Sequence, residues 1–195
     1  MQKAVFLDRD GVINRPALNP ATGEYESPHS PGDLELYPWT VKSLRALLDM
    51  GYKLFLISNQ PSFAKGKATL EDIKAVHDRL HLELTEEGVG FTDYYYCYHH
   101  PDGIVEGYSG PCLCRKPGTL FLSKASEEHG FDGGDSWLIG DRDSDIFCGS
   151  AYGLKTILVN EEHSVNKRGM SRPDFQARDL EDAVRIIAEA ENQKT

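Results

Sequence analysis

The sequence lacks a surplus of positive charge and a long apolar segment. Its 195 residues include 21 Lys and Arg against 31 Asp and Glu, which gives a net charge of −10. Such a chain is not expected to bind nucleic acid or an anionic membrane over a broad surface, although a local basic pocket for one small phosphorylated molecule is compatible with it. No apolar run approaches the ~18 residues of a membrane span, and the N-terminus has no signal-peptide pattern. We therefore expect a cytoplasmic protein that binds neither nucleic acid nor membrane.

Cysteine is also scarce, but three of the four cysteines lie close together. Cys97, Cys112 and Cys114 fall near His99, whereas Cys148 stands apart in a predicted helix and is expected to be a small core residue. In a reducing compartment, clustered cysteines are more often metal ligands or catalytic groups than disulfides. A Cys₃His set suits a tetrahedral structural Zn²⁺. The alternative is two unrelated reduced pairs, with His99 a polar residue of a loop.

A stretch near the N-terminus combines a predicted strand with two closely spaced aspartates. Residues 3–7 form an apolar run of strand length, and Asp8, Asp10 and Gly11 follow it directly. In open α/β sheets, the carboxyl ends of the strands border the ligand crevice. Two carboxylates placed there repel each other unless a cation or a shared proton offsets the repulsion. Taken alone, the pattern also fits an ordinary turn after a strand.

Strand patterns alternate with helix patterns along the rest of the chain. Apolar spacing predicts further strands at 53–57, 93–97, 136–139 and 156–159. It predicts helices at 40–51, 69–88, 120–129 and 146–152 and a last helix capped by Asp179, with loops at 14–32 and 160–173. This order indicates an α/β fold, in which helices cover both faces of a parallel, Rossmann-like sheet. The absence of repeats and linkers favours a single domain over residues 1–195, with nothing that indicates an oligomer, so a monomer is expected.

Polar clusters follow four of the predicted strands, and parallel strands would bring them to one edge of the sheet. The residues concerned are Asp8, Asp10, Ser58, Asn59, Arg115, Lys116, Asp141 and Asp145. The aspartates could supply the hard oxygen ligands that Mg²⁺ prefers. Fixed hydrogen-bond donors and cations beside such a site suit phosphoryl transfer, which depends mostly on positioning and charge stabilisation.

In the same order, these clusters resemble the four motifs of haloacid dehalogenase (HAD) superfamily phosphatases. The matching segments are residues 8–12 (DRDGV), residues 58–60 (SNQ), Lys116 and residues 140–145 (GDRDSD). The resemblance implies that Asp8 is a nucleophile that forms a phosphoaspartate. It also implies that Asp10 protonates the leaving group and then activates water, so that Asp10 begins protonated, a state we expect the crowded negative site to favour.

The resemblance also assigns ligands and substrate contacts. Mg²⁺ would bind the Asp8 carboxylate, the Asp10 backbone carbonyl and Asp141. Ser58, together with the Asn59 backbone, and Lys116 would hold the phosphoryl oxygens. Asp145 is either near the metal or a partner that orients Lys116, and both assignments stay open.

The cysteine segment at 97–114 resembles the zinc loop of the histidinol-phosphate and heptose-bisphosphate phosphatase branch. The resemblance makes Cys97, His99, Cys112 and Cys114 the ligands of a structural Zn²⁺, with His100 a less suitable one, and aims Arg115 at the substrate. The length of this loop and residues 64–69 (AKGKAT) are closest to D-glycero-D-manno-heptose-1,7-bisphosphate 7-phosphatases of lipopolysaccharide or glycan precursor synthesis. Histidinol-phosphate phosphatase is the alternative. The intervals between motifs leave no room for a separate cap domain.

Two other classes are less compatible with the residues. A phosphorylation switch of the response-regulator type places its phosphoacceptor Asp after a later strand, but here Ser58 and Cys97 occupy those strand ends. A catalytically inactive, zinc-stabilised binding module would not require the aspartates and Lys116 together.

Overall fold

In the computed structural model, which describes residues 2–193, six strands form one parallel sheet. Along the chain, the strands are β1 (Ala4–Leu7), β2 (Ala17–Asn19), β3 (Glu24–Glu26), β4 (Lys53–Asn59), β5 (Asp93–Cys97), β6 (Trp137–Gly140), β7 (Lys155–Val159) and β8 (Phe175–Ala177). The sheet order is β5-β4-β1-β6-β7-β8, and β2 pairs with β3 as a separate antiparallel hairpin. The first strand therefore lies in the middle of the sheet, where both of its neighbours are parallel to it.

Helices cover both faces of this sheet, as the alternating pattern predicts. They are α1 (Thr40–Asp49), α2 (Leu70–Glu86), α3 (Leu120–His129), α4 (Asp143–Tyr152) and α5 (Leu180–Asn192). One apolar cluster joins one face of the sheet to α1, α2 and α5, and a second joins the other face to α3 and α4. Strand β1 serves both clusters, because Val5 and Leu7 point into the first while Ala4 and Phe6 point into the second.

The N-terminal ends of two helices lie at the capping residues that the sequence predicts. The Thr69 hydroxyl accepts a hydrogen bond from the Asp72 amide at the start of α2, and the Asp179 carboxylate accepts one from the Asp182 amide at the start of α5. Such N-caps satisfy amides that have no partner within the helix. Cys148 is fully buried in the second cluster, as predicted.

The structure corrects three expectations about local structure and adds one strand that was not predicted. Residues 14–32 are not an irregular loop, because they include the β2–β3 hairpin and the start of a 3₁₀ helix (Pro31–Asp33). Helix α4 begins at Asp143. The sequence placed its start at 146, because the first turn is polar and shows no apolar periodicity. Residues 160–173 contain a second 3₁₀ helix (Glu162–Lys167), and the edge strand β8 was not predicted. Elements of three to six residues are too short to show a hydrophobic period.

None of the helices within residues 2–193 has the length and apolar character needed to cross a membrane.

We predict that Leu47→Ala lowers the free energy of unfolding by about 2–5 kcal/mol, because truncating a fully buried leucine leaves a cavity. Denaturant unfolding of the purified variant measures this change. The matched control is Leu82→Ala on α2, where the side chain is 54% exposed and the expected change is below about 1 kcal/mol. Equal losses for the two variants would contradict the packing described here.

Candidate active site

A cavity of about 410 Å³ opens at the carboxyl edge of the sheet. Asp8 follows β1, Asn59 ends β4, and Lys116 and Asp145 reach the same cavity from the connections beyond β5 and β6. The residues that follow these strands therefore meet at one cavity, as predicted. Fourteen further residues line the cavity: Asp10, Glu24, Tyr25, Glu26, Ser27, Pro61, Ser62, Lys65, Lys67, His100, Arg115, Arg142, Ser144 and Lys167.

Lys116 lies at the centre of the polar floor of this cavity. Its Nζ is 3.0 Å from Asp8 Oδ1 and 2.6 Å from Asp145 Oδ1, and it donates a hydrogen bond to the Ile57 carbonyl at 2.7 Å. Burial alone would lower the pKa of Lys116, but the Asp145 and Asp8 carboxylates outweigh it and raise that pKa above its usual value. The ammonium is thus a fixed positive charge next to the predicted nucleophile.

Asn59 positions the backbone of Lys116 through two hydrogen bonds. Its Oδ1 accepts from the Lys116 amide at 3.0 Å, and its Nδ2 donates to the Lys116 carbonyl at 3.1 Å. Ser58 is buried just beneath the cavity, where its hydroxyl accepts from Gln60 Nε2 at 3.0 Å. The side-chain amide of Asn59 is therefore hydrogen-bonded to the backbone of Lys116. Ser58 is not among the residues that line the cavity.

Three carboxylates meet beside Lys116 in a group that a cation fits. Ligand oxygens of Asp8, Asp141 and Asp145 lie within 4.8 Å of one another. Asp141 Oδ1 is buried without a hydrogen-bond partner, while Oδ2 accepts from the Ser164 hydroxyl. Burial raises the pKa of Asp141 to about 7; Arg142 opposes this shift, and Asp8 and Asp145 add to it. A bound cation would relieve both the repulsion and the unpaired oxygen.

Gly11 leaves room for this group of carboxylates because it has no side chain. Gly11 has a φ of +94°, and a Cβ atom there would approach Asp141 Oδ2 to 2.6 Å. A side chain at this position would therefore displace Asp141 as well as strain the backbone. The glycine of the DRDG segment serves the geometry of the site and not only the turn.

Asp10 lines the same cavity but is not part of this group of three, and donors surround its carboxylate. Oδ1 accepts from Arg9 Nε and Asn14 Nδ2, each at 3.0 Å. Oδ2 accepts from Arg9 Nη2 at 3.2 Å and from Ser27 Oγ and Gln60 Nε2, each at 2.8 Å. For the protein without bound substrate, the expectation that crowding by negative charge would protonate Asp10 is wrong. Burial would raise its pKa, but the Arg9 charge and the hydrogen bonds lower it to about 2.

Arg9 is a residue of the site that sequence reasoning missed. Its side chain is fully buried, its guanidinium pairs with Asp10, and it donates to Gln60 Oε1 at 3.0 Å. A buried arginine is unusual unless it is paired. The sequence feature that could have identified Arg9 is its position between two aspartates at the end of a buried strand.

The cysteine segment forms a second group of potential metal ligands. The ligand atoms of Cys97, His99, Cys112 and Cys114 lie within 4.8 Å of one another. Cys114 Sγ is 2.9 Å from Cys97 Sγ, 3.6 Å from Cys112 Sγ and 3.5 Å from His99 Nδ1. His100 is not part of the group, since its Nδ1 accepts from the Asp102 amide. The four predicted ligands therefore converge, and such a cluster could hold a metal ion.

Cations that the sequence did not single out line the cavity in this acidic protein. Lys65, Arg142 and Lys167 join the predicted Arg115 in its wall. Burial lowers the pKa of Lys167, and the neighbouring Arg142 lowers it further. Lys65 belongs to the segment 64–69 that supports the resemblance, but no spacing in the sequence shows which way a loop lysine faces, so only the folded chain reveals that these cations face one pocket.

The hairpin contributes one wall of the cavity and is held at both of its sides. The Tyr25 ring stacks on His163 of the second 3₁₀ helix with ring centroids 3.5 Å apart. Glu26 pairs with Lys67 at 2.6 Å. The two corrected segments, 14–32 and 160–173, therefore meet each other above the site.

Comparisons with known proteins agree with this geometry. A family model described as HAD-hydrolase-like matches residues 113–183. A D-glycero-alpha-D-manno-heptose-1,7-bisphosphate 7-phosphatase of Photorhabdus laumondii is 34% identical over 166 residues, which cover 85% of this chain and 86% of that protein. The chain belongs to the HAD phosphatase family. A Chlorobaculum tepidum relative named D-glycero-D-manno-heptose-1,7-bisphosphate 7-phosphatase is 35% identical over 93% of this chain and 92% of its own.

Solved structures show the same HAD fold. A D,D-heptose 1,7-bisphosphate phosphatase from B. bronchiseptica, complexed with magnesium and phosphate, superposes with a TM-score of 0.78. It is 23% identical and is matched over 97% of this chain and 99% of its own, so it supports the fold. Together, the relatives above 30% identity and the family model confirm the resemblance drawn from the four ordered motifs.

Proposed function

We propose that this protein is a Mg²⁺-dependent phosphatase that removes the 7-phosphate of D-glycero-D-manno-heptose 1,7-bisphosphate. The observation that carries the proposal is the Asp8 carboxylate at the edge of the sheet, 3.0 Å from a buried lysine and facing a cavity lined with cations. A nucleophile, a fixed positive charge and a group of cation ligands are what phosphoryl transfer requires. The names of the relatives support the heptose bisphosphate as substrate.

Asp8, Asp141 and the Asp10 backbone carbonyl are the proposed Mg²⁺ ligands, and Asp145 is close enough to support the same ion. When bound, Mg²⁺ offsets the negative charge of the phosphoryl oxygens and of the carboxylates. Asp141 Oδ1 is buried without a hydrogen-bond partner, and the ion would supply one.

In the first half of the proposed reaction, an Asp8 oxygen attacks phosphorus and the bond from phosphorus to the sugar oxygen breaks. Asp10 delivers a proton to that leaving oxygen, and Lys116 stabilises the charge on the phosphoryl oxygens. In the second half, Asp10 removes a proton from water, which attacks the phosphoaspartate and releases phosphate. Asp145 holds the Lys116 ammonium at 2.6 Å throughout, so the lysine acts as a positioned charge.

The cations of the cavity wall account for a substrate with two phosphates. Arg115 is fixed by a hydrogen bond from its Nη1 to the His99 carbonyl at 3.2 Å, and we propose that it recognises the distal phosphate or the sugar. Lys65, Arg142 and Lys167 add positive charge to the same cavity.

We further propose that Cys97, His99, Cys112 and Cys114 bind a structural Zn²⁺. The ion would order a loop that follows β5 and carries Arg115 and Lys116 directly after its last ligand. Residues 1–195 would then act as one catalytic domain. The cytoplasmic location and the monomeric state expected from the sequence stay predictions.

Asp8→Asn tests the nucleophile. We expect Mg²⁺-dependent phosphate release to fall by about 10³-fold or more, because an amide oxygen does not form the covalent intermediate. Phosphate release and circular dichroism are measured on the same preparation. Asp102→Asn is the matched control, since its side chain is 91% exposed. Retained turnover in Asp8→Asn would refute the assignment.

A comparison of substrates tests the specificity. We expect kcat/KM for heptose 1,7-bisphosphate to exceed that for histidinol phosphate by about 10- to 100-fold, since charge-assisted hydrogen bonds to a second phosphate contribute about 1.5–3 kcal/mol. Heptose 7-phosphate, which lacks the 1-phosphate, isolates the contribution of the second phosphate. A preference for histidinol phosphate would overturn the substrate assignment.

Elemental analysis of protein purified without chelator tests the second metal. We expect about one zinc per chain, lost in Cys114→Ser and retained in Cys148→Ala, because Cys148 lies in the core away from the cluster. A chelator that removes zinc should lower the unfolding temperature of the wild type. Protein without zinc and with unchanged stability would contradict the site.

A further inference from the structure

Asp141, a proposed ligand of Mg²⁺, is held by a hydrogen bond from a part of the chain outside the four motifs. Within residues 2–193, the Ser164 hydroxyl is the one donor that the structure places on its carboxylate, and it donates to Oδ2. Arg142 Nε is 3.6 Å from the same oxygen, which is too far for a hydrogen bond. Oδ1 is buried without a hydrogen-bond partner. The contact with Ser164 therefore leaves Oδ1 as the oxygen that is available to a cation.

Ser164 is buried to a degree that its residue type does not predict. It belongs to the second 3₁₀ helix, Glu162–Lys167, and is 1% exposed, although serine is mostly a surface residue. A buried hydroxyl is costly unless a hydrogen bond compensates it. The Asp141 carboxylate supplies that compensation, so the burial of Ser164 and the orientation of Asp141 depend on the same contact.

The chain that follows this serine is tied to two elements beside Asp141. Arg168 Nη1 donates to the carbonyl of Val159, the last residue of β7, at 3.2 Å. Asp143, the first residue of α4, accepts hydrogen bonds from the amides of residues 169–171. Strand β7 pairs with β6, and Asp141 directly follows β6. The fold therefore fixes the hydroxyl relative to the carboxylate that it contacts.

The hydrogen bond restricts rotation of the carboxylate. The terminal torsion of an aspartate is broad, so a carboxylate without a partner samples several orientations. A ligand that is already oriented binds more tightly, because the cost of ordering it does not fall on the binding step. Groups that orient a metal ligand in this way typically contribute about 10- to 100-fold to metal affinity.

We propose that Ser164 is a positioning residue for the metal ligand Asp141: its hydroxyl holds Oδ2 and thereby presents Oδ1 to Mg²⁺. This inference rests on the proposed function, because it concerns the cation of that same reaction. Ser164 forms no bond to the ion or to substrate and acts only through Asp141.

Binding of Mn²⁺ to Ser164→Ala tests the inference independently of activity. Mn²⁺ takes the same kinds of oxygen ligand as Mg²⁺, and electron paramagnetic resonance measures the unbound Mn²⁺ in a titration of the full-length protein. We expect the Kd for Mn²⁺, and the Kd for Mg²⁺ obtained by competition, to rise by about 10- to 100-fold. The matched control is Ser43→Ala on α1, a serine that is 2% exposed and does not contact a proposed ligand, so both Kd values should stay at the wild-type level.

Steady-state kinetics separate positioning from a general loss of structure. In Ser164→Ala, the Mg²⁺ concentration that gives half-maximal phosphate release should rise by about the same 10- to 100-fold. At saturating Mg²⁺, kcat should fall by less than about 3-fold, because a bound ion itself orients Asp141. A large loss of kcat with an unchanged Mg²⁺ requirement would contradict the proposed role.

Asp141→Ala shows whether the measured ion lies at this site. Glu161, Glu162 and His163 form another group of potential ligands directly before Ser164, and Mn²⁺ could bind there. We expect Asp141→Ala to lose the Mn²⁺ that Mg²⁺ displaces. Equal binding in Asp141→Ala and the wild type would mean that Asp141 does not hold the ion, and the inference would fail.

A second substitution keeps the test decisive if circular dichroism shows that Ser164→Ala does not fold. Ser164→Cys keeps a side chain of similar shape, but a thiol is only a weak donor. The Kd for Mn²⁺ should then rise by at least about 3-fold. A folded Ser164→Cys with the Kd of the wild type would refute the role of the hydroxyl.

The outcomes distinguish this inference from the proposed function. Unchanged Mn²⁺ and Mg²⁺ affinity in folded Ser164→Ala would refute the role of Ser164 and leave the phosphatase proposal intact. Weakened binding in Ser164→Ala, together with a wild type that hydrolyses no sugar phosphate, would support the inference and overturn the proposed function. A wild type that binds neither ion at Asp141 would overturn both.

Discussion

The structure of the site depends on one buried ammonium group between two carboxylates. Lys116 lies 3.0 Å from Asp8 and 2.6 Å from Asp145, and all three side chains are nearly inaccessible to water. Any one of these charges would be costly to bury alone, and together they compensate one another. Because the three residues come from distant parts of the chain, the ion pairs also align the edge of the sheet with the cysteine segment and with α4.

The same principle explains why the two aspartates of the DRDG segment differ. Asp8 faces Lys116 and the two carboxylates that suit a cation, whereas Asp10 faces Arg9 and several neutral donors. Successive residues of an extended backbone point to opposite sides, but Asp8 and Asp10 are two apart, so strand alternation alone does not separate them. The turn at Gly11 and the buried guanidinium of Arg9 do so instead, and they give the two carboxylates different surroundings.

Short elements above the sheet shape the rest of the cavity. The hairpin reaches the second 3₁₀ helix through Tyr25 and His163, and Ser27 links it to Asp10. HAD enzymes that carry a separate cap enclose substrate with another domain, whereas here the described chain between β1 and β4 forms only the hairpin, a 3₁₀ helix and α1. Much of the cavity wall is therefore formed by short segments that carry lysines and arginines.

The sequence by itself determined the parallel α/β sheet and the motifs that reach its edge. These features follow from apolar periods, helix caps and the rule that parallel strands share one edge, all of which are local or topological. The tertiary structure alone decided the hairpin, the burial of Arg9, the low pKa of Asp10 and the cationic wall with Lys167. Those features depend on contacts between residues far apart in the chain, and on side-chain directions within short elements, for which no period or spacing exists in the sequence. The strand 4–7 that begins the chain could be read from its residues, but the different surroundings of the two aspartates that follow it could not.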